Sequence, residues 1–221
     1  AAIIETTSGS DGTFELGGLE EGVTITVSAW KETYYCAKVE GVVPPASGIT
    51  LTLRHYQKND NPEYEWMPPT AQHGEESCAH CKPGVTEIWL ENAHANAGTN
   101  SRFFSLYNGT DLTGTITITP GYVLDFPGTT GNCAACHAPG AGLDAPFSTD
   151  MNKLDGADVF GVHCDFCHKV ADVYLNPATD LPYNNAPGAI SMDVRRPFPE
   201  TEREQLFFGT FDDDNVPEED T

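Results

Sequence analysis

Three segments of this chain share the spacing Cys-x-x-Cys, and two of them continue directly with histidine. The segments are CAHCK at 78–82, CAACH at 133–137 and CDFCH at 164–168. In Cys-x-x-Cys-His both thiols can bond to the edge of one porphyrin, and the adjacent histidine can bind its iron. The last two segments therefore predict two covalently attached haem c groups, held by Cys133, Cys136 and His137 and by Cys164, Cys167 and His168.

A zinc site is the alternative for these cysteines, because two Cys-x-x-Cys pairs can supply four thiolates to one metal ion. Zinc would leave the histidine that follows each pair without a role, once at position 137 and again at position 168. The repeated histidine therefore favours haem over zinc.

The first segment, CAHCK, departs from the pattern at Lys82. A neutral lysine amine can also bind haem iron, and a buried position facing a metal favours the loss of its proton. From these residues alone the segment fits a zinc knuckle, a redox dithiol or a third haem at Cys78 and Cys81 with Lys82 as an iron ligand. The alternative is that Cys78 and Cys81 form a disulfide or a free thiol pair, which leaves two haems.

Each six-coordinate iron needs a second ligand, and five of the seven histidines lie outside the two motif positions. His94 lies in a helix predicted over residues 83–98, on the side that carries apolar residues, and can point into a buried site. His163 directly precedes Cys164, and His73 lies in the turn-rich stretch before the first segment. We predict these three histidines as ligands. The remaining candidates are His55, His80, Met67, Met151 and Met192.

The first 56 residues predict β-structure. Apolar and polar residues alternate over 23–30 (VTITVSAW) and again over 49–56 (ITLTLRHY). An Asp-Gly turn comes just before a short predicted strand around Phe14 and Leu16. We expect an all-β sandwich domain over residues 1–56.

Residues 57–221 predict a second domain that is loop-rich and mainly short-helical, with helices over 83–98 and 101–107. Thioether and iron–ligand bonds can close the loops of such a domain. From Glu200 onward the chain carries nine acidic side chains and one basic side chain, which predicts a solvated acidic tail. The alternative is a segment that packs on a partner surface through FFGTF at 207–211.

The acidic composition argues against one class of partner. The chain has 33 acidic and 11 basic side chains and a net charge of −22. Nucleic-acid binding relies on basic residues that neutralise phosphates, so we expect no nucleic-acid partner. No run of eighteen apolar residues occurs, so we expect no membrane span. No charged and apolar leader precedes Ala1, so we expect a processed or trimmed chain.

A longer phrase in the N-terminal part, SDGTFELGGLEEGVTITVSAW at 10–30, carries a family resemblance. With it, residues 1–55 resemble the carboxypeptidase-regulatory-like domain, which is a β-sandwich module. Such modules act as spacers or adhesive units, and they normally have a further strand ahead of the point where this sequence begins. The resemblance implies that the chemistry lies in the rest of the chain.

Longer phrases also surround the cysteine motifs: CAHCKPGVTEIWLENAHANA, CAACHAP and GVHCDFCHKV, in this order. Together they resemble the multihaem cytochrome c superfamily, which includes the tetrahaem electron carrier of ammonia oxidisers. The resemblance covers residues 75–210 and implies that His94, twelve positions after Lys82, is a distal ligand of another haem. It also implies that Lys82 replaces a histidine, as in the pentahaem nitrite reductases, where the lysine-ligated haem is catalytic. With this resemblance we expect a third haem at Cys78 and Cys81, with Lys82 as an iron ligand.

The expected function is that of a multihaem c-type cytochrome, which relays electrons between closely spaced haems in the periplasm or outside the cell. Its partners would be redox proteins or other copies of itself, up to a homopolymeric filament. We expect an electron-transfer protein rather than an enzyme. One alternative is a reductase of a small nitrogen or sulfur oxyanion at a Lys82-ligated haem, which the acidic surface disfavours. Another is an adhesive protein whose sandwich is the functional part.

Overall fold

The structure is a computed structural model of the 221-residue chain. It describes residues 3–56, 58–71, 77–117, 120–182, 191–198 and 206–208. The chain divides into two compact units, Ala1–His55 and Tyr56–Thr221.

The N-terminal unit contains short antiparallel strand pairs. Its strands are β1 (Ile25–Ala29), β2 (Tyr34–Tyr35), β3 (Ala37–Val42) and β4 (Arg54–His55). β1 pairs with β3, and β2 pairs with β4. The β-structure predicted for this region is thereby confirmed.

The strands cover less of this unit than the alternating patterns predict. Of the segment 49–56 only Arg54–His55 is strand, and residues 13–16 form no strand. Alternation allows a segment to cover a core, but a strand forms only where a second strand pairs with its backbone groups. The described residues of this unit contain two separate pairs of two strands, so the sandwich stays a prediction.

The C-terminal unit consists mainly of short helices joined by turns, as the sequence predicts. Its α-helices are α1 (Cys78–Cys81), α2 (Pro83–Leu90), α3 (Ser101–Asn108), α4 (Tyr122–Asp125), α5 (Ala134–His137), α6 (Pro139–Gly142) and α7 (Cys164–Cys167). Two 3₁₀ helices span Met151–Lys153 and Gly156–Phe160. Helices this short are marginal alone, so tertiary packing must hold them. Within the described ranges, none is long and apolar enough to cross a membrane.

Two more antiparallel strand pairs follow the last of these helices. β5 (Val170–Val173) pairs with β8 (Met192–Val194), and β6 (Leu175–Asn176) pairs with β7 (Leu181–Pro182). Because β5 begins shortly after α7, its pairing with β8 holds the chain that leaves the third cysteine motif.

The helix predicted over 83–98 ends early, at Leu90. Asn96 Nδ2 donates to the carbonyl oxygens of Leu90 (3.3 Å) and Asn92 (2.9 Å), and Asn92 Oδ1 accepts from His94 N at 2.7 Å. Side-chain amides thus engage the backbone groups that a continuing helix would use. His94 therefore lies in a turn and not on a helix face. The helix predicted over 101–107 is present as α3.

Buried side chains form two clusters in this unit. One contains Tyr107, Ala134, Ala138 and Met151, and the other contains Phe166 and Val194. The first cluster packs α3 against α5, and the second packs α7 against β8. Each cluster includes a spacer residue of a cysteine motif, Ala134 in one and Phe166 in the other, so these two motifs are part of the core.

A buried arginine ties three distant segments together. The side chain of Arg196 is 2% exposed, and it donates to Asp60 Oδ2 at 2.6 Å and to Asp144 Oδ2 at 2.7 Å. Asp60 precedes the first cysteine motif, and Asp144 follows α6. These ion pairs join a segment before the first motif, the chain that follows α6 and the segment just after β8.

Candidate haem-attachment site

Each of the three cysteine motifs forms a single helical turn. α1 and α7 begin and end at the two cysteines of their motif, whereas Cys133 caps the N-terminus of α5. Residues three positions apart lie on the same side of a helix, so each pair of cysteines is held on one side. The five motif cysteines whose side chains are described form no disulfide: Cys78, Cys133, Cys136, Cys164 and Cys167.

The second motif is packed among small residues. Ala134, Ala135 and Ala138 are fully buried, and α5 packs against Met151. α6 follows so closely that a Cβ on Gly142 would lie 2.7 Å from the backbone nitrogen of Ala135. The Ala-Ala spacer of this motif therefore has a packing reason, because larger side chains do not fit between α5 and its neighbours.

The histidine of the second motif is held by ring stacking. The ring centroids of His137 and Phe103 are 4.1 Å apart, with 28° between the ring planes. His137 Nδ1 is buried, and no hydrogen-bond partner reaches it from the described residues. Burial also raises the pKa of the Cys133 thiol in the same motif. The orientation of His137 thus depends on Phe103.

The histidine of the third motif is held by a hydrogen bond. His168 Nδ1 lies 3.0 Å from the carbonyl oxygen of Phe208. A carbonyl oxygen can only accept, so in the neutral imidazole Nδ1 carries the proton and Nε2 keeps its lone pair. Phe208 N donates in turn to the backbone carbonyl of His168 at 2.8 Å. This tautomer is the one that binding a metal through Nε2 requires.

The sequence did not predict two buried charged residues as site residues. They are Asp165, in the third motif, and Lys169, directly after it. Lys169 Nζ lies 2.6 Å from Asp165 Oδ1, and both side chains are fully buried. Asp165 Oδ2 also accepts from Tyr64 OH at 2.9 Å and from Met67 N at 2.8 Å. The sequence signal was available, because opposite charges four positions apart in DFCHK can pair on one helical turn.

This buried ion pair holds the segment that precedes the first motif, through Tyr64 and Met67. Burial, together with the Asp165 carboxylate, raises the pKa of Tyr64 above its ordinary range. A few residues further on, the carbonyl oxygens of Pro68 and Pro69 accept from Cys78 N at 3.1 Å and from Ala79 N at 2.9 Å. The segment before α1 is therefore bonded to α7 at one end and to α1 at the other.

The structure brings the first and third motifs together at their leading cysteines. The thiols of Cys78 and Cys164 are close enough to interact, and this interaction raises the pKa of Cys78 and lowers the pKa of Cys164. Burial adds to the rise in the pKa of Cys78. These two predicted attachment atoms belong to different motifs and lie 86 positions apart in sequence. The fold makes them neighbours.

His163 is completely buried and caps α7. Its Nδ1 accepts from Phe166 N at 3.1 Å, while its Nε2 lies 3.4 Å from Asp158 Oδ1 without a hydrogen bond. A Cβ on Gly140 would lie 2.8 Å from His163 Nε2, so glycine is needed at that position. Gly140 follows the second motif and His163 precedes the third, so these two motifs also approach each other.

The other predicted ligands lie in different surroundings. Lys82 is exposed at the end of α1, where its backbone N donates to the Cys78 carbonyl at 2.9 Å. His94 is exposed, and its carbonyl oxygen accepts from Val162 N at 3.1 Å, just ahead of the third motif. His73 and the side chain of Cys81 lie outside the described residues, as do residues 200–205 and 209–221 of the predicted acidic tail.

The arrangement fits covalently attached haem better than zinc. Within the part of the chain that the structure describes, no three His, Cys, Asp or Glu side chains come together as a metal site. The pairs at 133/136 and 164/167 therefore do not form a four-cysteine zinc site. Beside the first motif, α2 presents an apolar face with Val85 64% and Ile88 75% exposed. An apolar face is what a porphyrin needs as a neighbour.

Residues 77–169 match the family model described as cytochrome c554 and c-prime. The matched segment contains all three cysteine motifs and covers less than half of the chain. The match supports a cytochrome c-type domain with an electron-transfer role, and it implies covalently bound haem c. No curated protein and no solved structure matches the chain. The carboxypeptidase-regulatory-like resemblance of residues 1–55 has no support from these comparisons and stays a prediction.

Proposed function

Starting from a cytochrome c-type domain over residues 77–169, we propose that the chain is an electron-transfer protein that holds three haem c groups close together. The attachment residues are Cys78, Cys81, Cys133, Cys136, Cys164 and Cys167, and the iron ligands beside them are Lys82, His137 and His168. One observation carries the proposal: the thiols of Cys78 and Cys164, from different motifs, are neighbours.

Close spacing of the attachment points is what the chain contributes to electron transfer. When bound, haem c supplies reversible one-electron chemistry at its iron. Cys78 and Cys164 join the first motif to the third, and Gly140 and His163 bring the second motif to the third. Because the first and second motifs each approach the third, the arrangement supports a relay among neighbouring groups over three isolated centres.

For the second ligand of each iron we propose His94, His163 and His73. His94 is exposed and lies beside the third motif without belonging to it. His163 can bind iron through Nε2 only if Nδ1 takes the proton, and Nδ1 now accepts from Phe166 N. Capping of α7 and iron binding are therefore alternative roles of this histidine.

The location and partners of the protein follow from the same proposal. We expect it in the periplasm or outside the cell, where cytochromes of this type typically occur. Its partners are redox proteins or further copies of the chain, up to a filament. The net charge of −22 favours a cationic partner surface. Residues 1–56 serve as a β-sandwich spacer of the carboxypeptidase-regulatory-like kind, ahead of the haem domain over 57–221.

The intact mass of the purified holoprotein tests the haem count. We expect three haem additions in the unaltered chain and two in the double variant Cys78→Ala/Cys81→Ala. Cys36→Ala is the matched control, because Cys36 belongs to no motif, and it retains all three. Two additions in the unaltered chain would remove the third site, and none would overturn the proposal as a whole.

The variant Lys82→His tests the ligand of the first motif. Replacing an amine by an imidazole should change the absorption spectrum and one reduction potential, since the axial ligand tunes both. Lys153→His, at a side chain 81% exposed, is the control and should change neither. An unchanged spectrum in Lys82→His would show that Lys82 is not a ligand. A high-spin signal that responds to nitrite would favour the reductase alternative.

A further inference from the structure

The segment Leu206–Phe208 packs onto the end of the third motif. Leu206 is 1% exposed, and Phe208 is 8% exposed with its ring edge-on to Tyr56 at 6.2 Å. The Phe207 ring lies 4.4 Å from Lys169 Nζ. Leu206, Phe207 and Phe208 therefore pack against residues of their own chain. We call residues 206–208 the Phe208 strap.

The strap bonds directly to the histidine of the third motif. The Phe208 carbonyl accepts from His168 Nδ1 at 3.0 Å, and Phe208 N donates to the His168 carbonyl at 2.8 Å. The second motif has no counterpart, because His137 Nδ1 is buried with no hydrogen-bond partner among the described residues. Phe103 contacts the His137 ring through its face, at 4.1 Å between centroids.

We infer that the Phe208 strap is a positioning element that lowers the reduction potential of the haem held by the third motif relative to that of the second. A carbonyl that accepts the Nδ1–H of an imidazole makes the other nitrogen a stronger donor toward a metal. A stronger donor stabilises ferric iron over ferrous iron, and such hydrogen bonding is one of the means by which proteins set haem potentials. The inference rests on the proposed function, because it requires haem at Cys164, Cys167 and His168.

Two truncations of the chain isolate the strap from the charge of the tail. One variant ends at Glu204 and lacks the strap; the other ends at Gly209 and keeps it. The five residues that distinguish them, QLFFG, carry no charge, so the two variants are matched in charge. Potentials of the holoproteins are measured by spectroelectrochemical titration.

We expect one of the component potentials to rise in the variant that ends at Glu204. The expected change is roughly tenfold in the reduction equilibrium of that haem, or about 59 mV for one electron. The variant that ends at Gly209 should show no such difference from the full chain beyond a small uniform shift from its lost carboxylates. Equal potentials in the two truncated chains would overturn the inference.

A second measurement needs no truncation. In the reduced full-length holoprotein labelled with ¹⁵N-histidine, the His168 Nδ1–H should exchange slowly with solvent and show a nuclear Overhauser contact to Phe208. The absence of that protected proton would also overturn the inference, even if a truncated chain failed to fold. The intact mass distinguishes a failure of the proposed function from a failure of the inference about the Phe208 strap. A missing haem at Cys164 and Cys167 refutes the proposed function, whereas haem with unshifted potentials refutes only the strap.

Discussion

The second and third cysteine motifs have the same pattern and the same helical turn, yet the protein holds them by different means. Around CAACH the contacts are apolar: fully buried alanines, Met151 and the stacked ring of Phe103. Around CDFCH polar contacts add to the apolar packing of Phe166: the buried Asp165–Lys169 pair and the hydrogen bond from His168 to Phe208. The two spacer residues of a motif, Ala-Ala or Asp-Phe, therefore determine which surroundings that motif requires.

The largest expected effect comes from breaking the polar surroundings of the third motif. Lys169→Met removes the ammonium group and leaves the Asp165 carboxylate buried and unpaired, which should cost about 3–5 kcal/mol of stability. Urea unfolding of the holoprotein, followed by circular dichroism, measures this loss. Lys153→Met is the control, because that lysine is 81% exposed beside Asp150, and it should cost less than about 0.5 kcal/mol. Similar unfolding midpoints for both variants would contradict the buried pair.

A smaller effect should follow from giving the second motif the spacer of the third. Ala135→Phe places a large ring where Ala135 is fully buried, and overpacking should cost about 1–3 kcal/mol. His80→Phe changes the equivalent position of the first motif, which is exposed, and should stay within about 0.5 kcal/mol. Urea midpoints of the two variants give the comparison. If both tolerate phenylalanine equally, the small spacer of the second motif has no packing reason.

The smallest effect concerns the stacking of His137. Asn100 caps α3, with its side-chain oxygen accepting from Arg102 N at 3.0 Å and Phe103 N at 3.1 Å. Asn100→Ala removes this cap and should cost about 1 kcal/mol, whereas Asn100→Ser should retain most of the stability. Thermal unfolding distinguishes the two variants. Because Phe103 stacks on His137, the alanine variant should loosen the second motif and leave the third unchanged.

Where the sequence predicted structure well, the signal was local. The strand at Ile25–Ala29, the helix Ser101–Asn108 and the loop-rich character of the C-terminal unit follow from patterns within a few residues. The helix through His94 was predicted too long, because Asn92 and Asn96 hydrogen-bond the backbone in a way that periodicity does not reveal. Most of the second alternating segment, 49–56, pairs with no strand among the described residues. A pattern of alternation does not show whether another strand will pair with the segment.

The three cysteine motifs and the two histidines that follow them can be recognised in the sequence alone, because attachment chemistry depends on spacing along the chain. The folded chain was needed to show that Cys78 lies beside Cys164, that His163 caps a helix and that Phe208 holds His168. The difference is one of range along the chain. A covalent motif is written in five consecutive residues, whereas hydrogen bonds and burial between distant residues exist only once the chain has packed.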